Sequence, residues 1–599
     1  MFLSLVAGLF AAPASVGAMA SDTLQAVTLV ADRGVVVSRR DSVTLSSNLD
    51  VASALSLVPG LYVGDYGFGG GTKSVSLRGL GSAHTALYID GVRVGNVQSG
   101  QMDLSLLGFE NFGLATVDYA QNSVSFVTAK PAFDACGFSG TVRLGTGSFG
   151  TWIPYGRFNI RLSDRLALSV NGAANITDGD FTLSGGGKRA NNDMEQYRAG
   201  LDLFGELDRG NFHAKVFYNS ADRGTPGSLS WLSDERQMDR NFFAQGSLRK
   251  HFSDVYELNL SAKGSYDYMK FKGEGYYSDY KQREFQLNSA HKFSLSEWWT
   301  ASLAADIQWD GMKGSVYDRS RLGTVVAVST AFTFERLKAD FAIEYGGTFD
   351  SDGGESWNVF SPSADLRYSL LEGFDVVAFG RRSYRTPTFN ELYYPGFGNT
   401  DLKAEDAWLA DLGADFHKKY DSWTLKARVD GYFNSLKNKI VSAPTDDPYI
   451  WMPFNIGKVR AYGADVLAGF DYATEGLKAG FSARYGFQEA LDRTKGSISF
   501  NRQIPYVARQ TVVLTAYGSY RGWSADTAFN LRSGRRDAYS DMPAWNTLDL
   551  TLGKSFKTVD GLGIDLKLSC RNLFDRRYDV ISGYPMPGRS VFATLQVCF

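Results

Sequence analysis

Tyr256-Glu257-Leu258-Asn259-Leu260-Ser261-Ala262-Lys263-Gly264-Ser265-Tyr266-Asp267-Tyr268 alternates without a break. One face holds Tyr256, Leu258, Leu260, Ala262, Gly264, Tyr266 and Tyr268, and the other Glu257, Asn259, Ser261, Lys263, Ser265 and Asp267. A period of two means a strand. An apolar face with tyrosines at both ends, opposite a charged face, is what a strand between lipid and a wet lumen requires.

The pattern recurs along the chain. Trp423, Leu425, Ala427, Val429, Gly431 and Phe433 alternate with Thr424, Lys426, Arg428, Asp430, Tyr432 and Asn434. Leu562, Ile564, Leu566 and Leu568 alternate with Asp565, Lys567 and Ser569. A soluble sandwich also alternates, so period alone leaves both readings open. Full charges along the polar faces favour the barrel. So does the last strand, Val591, Ala593, Leu595, Val597 and the terminal Phe599, which resembles the signal read by outer-membrane assembly machinery. Residues 138–599 supply 462 positions. At ~9–11 residues per membrane strand plus connections, that predicts about 22 antiparallel strands, a size that calls for a plugged lumen.

Composition agrees. There are 64 Gly, 31 Tyr, 41 Phe and 11 Trp against 15 Pro, the mixture of many strands joined by turns. With 62 basic and 64 acidic residues, nothing points to nucleic acid. Cys136, Cys570 and Cys598 are too few for a disulfide scaffold. Alternation puts Cys570 with Leu566 and Leu568 but Cys598 with Thr594 and Gln596, so a bridge between these two is not expected.

Residues 1–20 are apolar and end in Ala18-Met19-Ala20, so they read as a secretory signal, although no Lys or Arg precedes Arg33. Beyond them no apolar stretch reaches the ~20 residues of a membrane-spanning helix. Residues 21–137 are a separate α+β domain: short mixed strands, many glycines and no aromatic girdle.

Within that domain three motifs stand in order: Val58-Pro59-Gly60-Leu61-Tyr62-Val63, Ser74-Val75-Ser76-Leu77-Arg78-Gly79 and Leu87-Tyr88-Ile89-Asp90-Gly91-Val92-Arg93. Downstream come Arg385-Thr386-Pro387-Thr388-Phe389-Asn390-Glu391-Leu392-Tyr393-Tyr394 with Leu402-Lys403-Ala404-Glu405, then Arg571-Asn572-Leu573-Phe574-Asp575-Arg576-Arg577-Tyr578 with 583–589. Each is weak alone, since Asp-Gly hairpins are common. Together they resemble the plug, mid-barrel and C-terminal signatures of TonB-dependent outer-membrane receptors, over essentially the whole mature chain. One departure concerns the run after the hairpin. Where the family commonly closes on a glycine-rich segment, this chain has Val124-Ser125-Phe126-Val127.

The resemblance implies a Gram-negative outer-membrane importer that binds at its outer face and is driven by TonB. It implies that Asp22, Thr23, Leu24, Gln25, Ala26, Val27, Thr28 and Leu29 form the TonB box, which adds a strand to TonB by main-chain hydrogen bonds. It places first ligand contacts in two plug loops: Asp65, Tyr66 and Phe68, and Asn96, Val97, Gln98 and Ser99. The stretch 81–101 and Asn390-Glu391-Leu392-Tyr393-Tyr394-Pro395-Gly396 look most like the cobalamin (corrinoid) branch. Amide and aromatic side chains suit a large ligand with amide arms. Ferric siderophore and haem are the rivals, and the five histidines His84, His213, His251, His291 and His417 form no ligand-like pair. No resident cofactor is implied, though the loop with Asp178, Asp180, Asn191, Asn192 and Asp193 could hold calcium. A surface lipoprotein cap joins TonB, the corrinoid and outer-membrane lipid as an implied partner. No Gly-x-Ser-x-Gly elbow, metal-ligand cluster or phosphate loop supports an enzyme. A passive porin or a surface-binding barrel are readings from other classes.

Overall fold

The computed structural model describes residues 40–44, 50–108, 112–133, 137–351, 354, 356–444, 451–537, 540–558 and 562–599. The signal segment and the TonB-box candidate 22–29 lie outside these residues, as does Cys136.

Twenty-two antiparallel strands close into one barrel, from Phe138–Gly147 to Ser590–Cys598. The last strand pairs back onto the first, with Phe592 opposite Gly147 and Cys598 opposite Thr141. Phe599 extends this seam: its N–H donates to the Gly140 carbonyl at 3.0 Å and its carbonyl accepts from Gly140 N–H at 2.7 Å. Closure leaves no edge groups unpaired, a condition for sheet in hydrocarbon. Cys570 stands opposite Val591 and Cys598 opposite Gly563, at opposite ends of neighbouring strands, and both are free thiols.

The alternation has the expected sense. On the strand Tyr256–Gly273, Glu257, Asn259, Ser261 and Lys263 are buried while Tyr266 is exposed. Around the wall Val326, Val328, Ile343, Phe360, Leu412 and Val429 are exposed, as a lipid-facing belt requires. Val326 sits midway along Asp318–Thr333, and its neighbour Ala327 is buried on the lumen side. Val326→Arg is therefore expected to destabilise the barrel by ~2–4 kcal/mol, read by denaturant unfolding in lipid vesicles.

Strand connections distinguish the two ends. One end has tight turns, as between Leu207 and Gly210, Leu371 and Phe374, and Tyr520 and Trp523. The other carries the longer excursions 178–193, 386–404, 493–509, 533–544 and 572–589. The C-terminus and the start of the first strand lie at the tight-turn end. Short inner turns and long outer loops orient an outer-membrane barrel, so the excursions face outward.

The lumen is filled. Strands β1 (Arg40–Thr44), β4 (Ala86–Ile89), β5 (Val92–Val94), β6 (Phe112–Asp118) and β7 (Ser123–Thr128) form a sheet in the order β1-β6-β7-β4-β5, in which only β4 and β7 are parallel. β2 (Leu61–Asp65) and β3 (Lys73–Leu77) form a separate hairpin. Helix α1 (Val51–Leu55) is capped by Asp50, whose carboxylate accepts from Ser53 N–H at 2.8 Å. The plug core of Leu55, Val58, Leu77, Ile89, Val117 and Phe126 continues into the wall through Phe217, Phe243, Leu409 and Leu436. β6 and β7 form where the glycine-rich close is missing, since Val124 and Phe126 supply buried strand residues instead.

Candidate functional site at the outer face of the plug

The sequence motifs become contacts between plug and wall. Arg78, at the end of β3, is 4% exposed and holds two wall carboxylates: Nη1 donates to Asp411 at 2.6 Å and Nη2 to Asp465 at 3.0 Å. Its guanidinium also lies 4.2 Å from the ring centres of both Tyr119 and Tyr432. A planar fork with a stacking face does both tasks at once, which lysine cannot. Gly79 follows in the left-handed region (φ +77°), where a Cβ would stand 2.9 Å from Ala490 Cβ, so the motif needs glycine there. Tyr119 in turn donates to Asp41 of β1 at 3.0 Å, and Asp41 pairs with wall Arg428 at 3.1 Å. The N-terminal strand is thus linked to the Arg78 hub through one tyrosine.

The Asp-Gly hairpin between β4 and β5 is a second anchor. Asp90 (φ 50°) and Gly91 (φ 83°) make the tight turn. The Asp90 carboxylate accepts from Thr128 N–H and hydroxyl, each at 2.7 Å. Wall residues hold the same hairpin: Gln245 donates to the Ile89 carbonyl and Lys263 to that of Arg93, both at 3.1 Å. Asp90, Asp202 and His213 converge closely enough to suit a metal. Lys215, 2.6 Å from Asp202 and 3.7 Å from Asp90, supplies the counter-charge instead.

Both predicted loops reach the outward end but meet different parts of the barrel. Tyr66 packs edge-on against Tyr584 (5.0 Å) and Phe68 against Phe149 (5.3 Å), with Phe181 beyond. Asp65 accepts from Gly67 N–H at 2.9 Å, which shapes this loop. Gly69 and Gly70 pass so close to the carbonyls of Asn192 and Gly224 that no Cβ fits. The second loop meets helix α2 (Phe389–Tyr393), closed by a Thr388–Glu391 capping box. The Val97 carbonyl accepts from Phe389 N–H and that of Gln98 from Asn390 N–H, each at 3.1 Å. Val97 packs against the Tyr280, Met312 and Phe389 cluster and Gln98 is buried, while Ser99 is exposed. In this loop Val97 and Gln98 hold α2, and Asn96 and Ser99 are left at the accessible side.

The mid-barrel motif extends that contact. Arg385 bridges Glu391 of α2 at 2.8 Å and Glu405 at 2.5 Å, and plug His84 places Nε2 2.5 Å from Glu405. The C-terminal signature folds on itself through Asn572, which donates to the Arg576 carbonyl and accepts from Arg576 N–H. Arg571 reaches Asp50 at 3.5 Å, and Lys73 lies between Asp50 (3.7 Å) and Asp65 (3.3 Å). Burial opposes charge on Asp50, yet Lys73 and Arg571 hold its carboxyl well below the usual range. Burial pushes the Asp65 carboxyl up, and Lys73 counters only part of that.

In the loop 178–193, Asp180 pairs with Lys188 and Asp193 with Arg236, so two of its carboxylates already answer to cations. His213 bonds Asp202, His251 lies beside Glu257 and His291 beside Tyr256. Sequence reasoning missed the outer partners Phe149, Phe181 and Tyr584, because alternation says which way a strand residue points but not which loops meet.

A family model described as "TonB-dependent Receptor Plug Domain" matches residues 31–131, and one described as "TonB dependent receptor-like, beta-barrel" matches residues 171–573. The vitamin B12 transporter BtuB of Vibrio vulnificus is 23% identical over 594 residues, covering 92% of this chain and 90% of that protein. BtuB of Photobacterium profundum is 24% identical, covering 91% and 89%. Among solved structures, the copper transporter OprC superposes with TM-score 0.76 at 14% identity, covering 94% of this chain and 98% of that one. The unliganded ferric citrate transporter FecA gives 0.76 at 13%, covering 94% and 97%. The FrpB iron transporter of Neisseria meningitidis (F3-3 variant) gives 0.75 at 12%, covering 94% and 100%. At these identities the structures speak to the fold alone. A plugged barrel of 22 strands, with both family models matched in order, makes this chain a member of the TonB-dependent receptor family of outer-membrane transporters.

Proposed function

We propose that the chain imports a cobalamin-type corrinoid, binding it between plug loops 65–68 and 96–99 and the outer excursions. The observation that carries the reading is the chemistry of that face. Tyr66, Phe68 and Tyr584 offer flat contacts, and Asn96 and Ser99 offer neutral hydrogen-bonding groups. A neutral molecule with many amides is matched by such a surface. Curated relatives named as vitamin B12 transporters, matched across more than nine-tenths of this chain, support it. The solved structures named for iron or copper transport match at 14% and 12% identity and bear on the fold alone.

In this reading residues 1–20 are the export signal and residues 22–29 the TonB box. Ligand on the outer loops shifts the plug, and the N-terminal segment becomes available to TonB. Force applied there reaches β1, then Asp41 and Tyr119, and so the Arg78 hub that holds the plug to Asp411 and Asp465. A surface lipoprotein over the excursions would complete the capture face. A filled lumen argues against a passive porin.

Uptake of labelled cyanocobalamin by cells carrying this chain as their sole receptor tests the proposal. Saturable uptake that stops when the proton gradient is collapsed is expected; uptake that persists without the gradient would contradict it. Tyr66→Ala is expected to weaken corrinoid binding by about tenfold, the loss of ~1–1.5 kcal/mol of ring contact, measured by equilibrium binding to purified protein.

A further inference from the structure

Four neighbouring barrel strands, Trp231–His251, Tyr256–Gly273, Tyr276–Ser296 and Trp299–Gly314, present one continuous outward surface. Its apolar band begins near the tight-turn end with Tyr256, which stacks on Phe252 (5.5 Å) and Phe293 (5.2 Å). The band ends at Phe242, Tyr266, Phe285 and Trp309, all exposed. From Tyr256 to Tyr266 the strand climbs about 25 Å at ordinary rise and tilt, the height of a membrane apolar band. Residues of the same face beyond Tyr266 therefore stand at the level of the outer headgroups.

That level is basic. Register places Arg240 opposite Tyr268, Tyr268 opposite Lys281 and Lys281 opposite Lys313, so one outward-facing row crosses the four strands. Arg283 sits opposite Tyr266, and Lys270 and Lys272 continue the same face beyond Tyr268. Lys281 and Lys313 are exposed and directly opposed. Like charges so placed destabilise a sheet, and an anion between them relieves the cost. Lys270 lies 5.1 Å from the centre of the Tyr277 ring, and the Arg240 guanidinium donates to the carbonyls of Ala221 (3.1 Å) and Asp239 (2.9 Å). Of the acids on this face, Asp279 is 3.9 Å from Lys281, and Asp318 accepts from Gly314 N–H at 3.1 Å. Asp234 and Glu274 are further out, near the hairpin tips. Among the described residues Lys272, Arg283 and Lys313 form no ion pair. By contrast, Arg236 is held by Asp193 and Asp222, and Arg382 by Asp406.

We propose that this patch binds the headgroup of an anionic outer-leaflet lipid bearing more than one phosphate. Neighbouring strands lie about 4.8 Å apart, so the row from Arg240 to Lys313 spans about 14 Å, room for two phosphates on one headgroup. Lysine and arginine stems lie along an apolar wall and lift their charges to the headgroup level. One phosphate sits between Lys281 and Lys313, and the other meets Lys270 and Arg283. The acyl chains lie below, on the exposed Phe285, Leu287, Leu303 and Ile307. A soluble anion gains nothing from that apolar surface, which favours a lipid over free phosphate.

The test measures binding of bisphosphorylated lipid A to the detergent-purified full chain in three forms. These are wild type, the patch variant Lys270→Gln/Lys281→Gln/Lys313→Gln, and the control Lys418→Gln/Lys419→Gln/Lys557→Gln. The control removes the same charge from exposed positions at the tight-turn end. The patch variant is expected to bind on the order of a hundredfold more weakly than wild type, and the control to match wild type. Equal binding by the patch variant, or an equal loss in the control, would overturn the proposal. So would lipid A stripped of its phosphates binding as tightly as the intact lipid, or inorganic phosphate displacing it at equal concentration. Should the patch variant fail to fold, wild type decides alone. Its affinity for lipid A is expected to fall as salt is raised, and an affinity indifferent to salt would overturn the patch.

Discussion

Arg78→Ala is expected to unseat the plug while leaving the barrel closed. The substitution removes the partner of two buried wall carboxylates, Asp411 and Asp465, and two ring contacts, to Tyr119 and Tyr432. Removing one member of a buried ion pair costs ~3–5 kcal/mol, mostly because the other charge stays buried and unanswered. The ring contacts add about 0.5–2 kcal/mol each. None of this touches the ladder that closes the barrel, so calorimetry is expected to show the plug transition at a lower temperature and the barrel transition unchanged. Cells should also become permeable to a large antibiotic that the plugged lumen excludes. Because the cost lies in stranded charge, adding Asp411→Asn and Asp465→Asn is expected to recover part of it. Arg78→Lys should fall between, keeping the charge and losing the fork.

Deleting residues 22–29 is expected to abolish energised uptake and leave ligand binding unchanged. The two effects separate because the proposed binding loops belong to the outer end of the plug, while the deleted segment precedes β1, the strand tied to Arg428 and Tyr119. If TonB grips this segment by strand addition, the grip is main-chain, and single side chains matter little. Leu24→Pro and Val27→Pro, which remove donors and resist pairing, should reproduce the deletion. Leu24→Ala should be nearly silent. Uptake rates and equilibrium binding measured side by side check both halves.

How far the sequence could be read follows from the physics of each level. The stretch 256–268 declares a barrel strand because lipid and lumen impose opposite chemistries on alternate residues, and Glu257, Asn259, Ser261 and Lys263 are buried where that logic puts them. Arg78, Gly79 and Asp90 were visible as motifs, yet nothing local says that Arg78 answers Asp411 and Asp465, more than 300 positions away. Those partners are ordinary inward-facing aspartates of a wall with many such residues. Loop 96–99 shows the same limit. Its polar composition suggests ligand contacts, but the register of the fold uses Val97 and Gln98 to hold α2.

Calorimetric titration of the purified receptor with cyanocobalamin, with a ferric siderophore and haem as parallel ligands, tests the corrinoid assignment most directly. Tight, saturable, one-to-one binding of cyanocobalamin is expected, with no comparable heat from the other two. Tight binding of the siderophore or haem, with none of cyanocobalamin, would leave the receptor family standing and contradict the corrinoid reading.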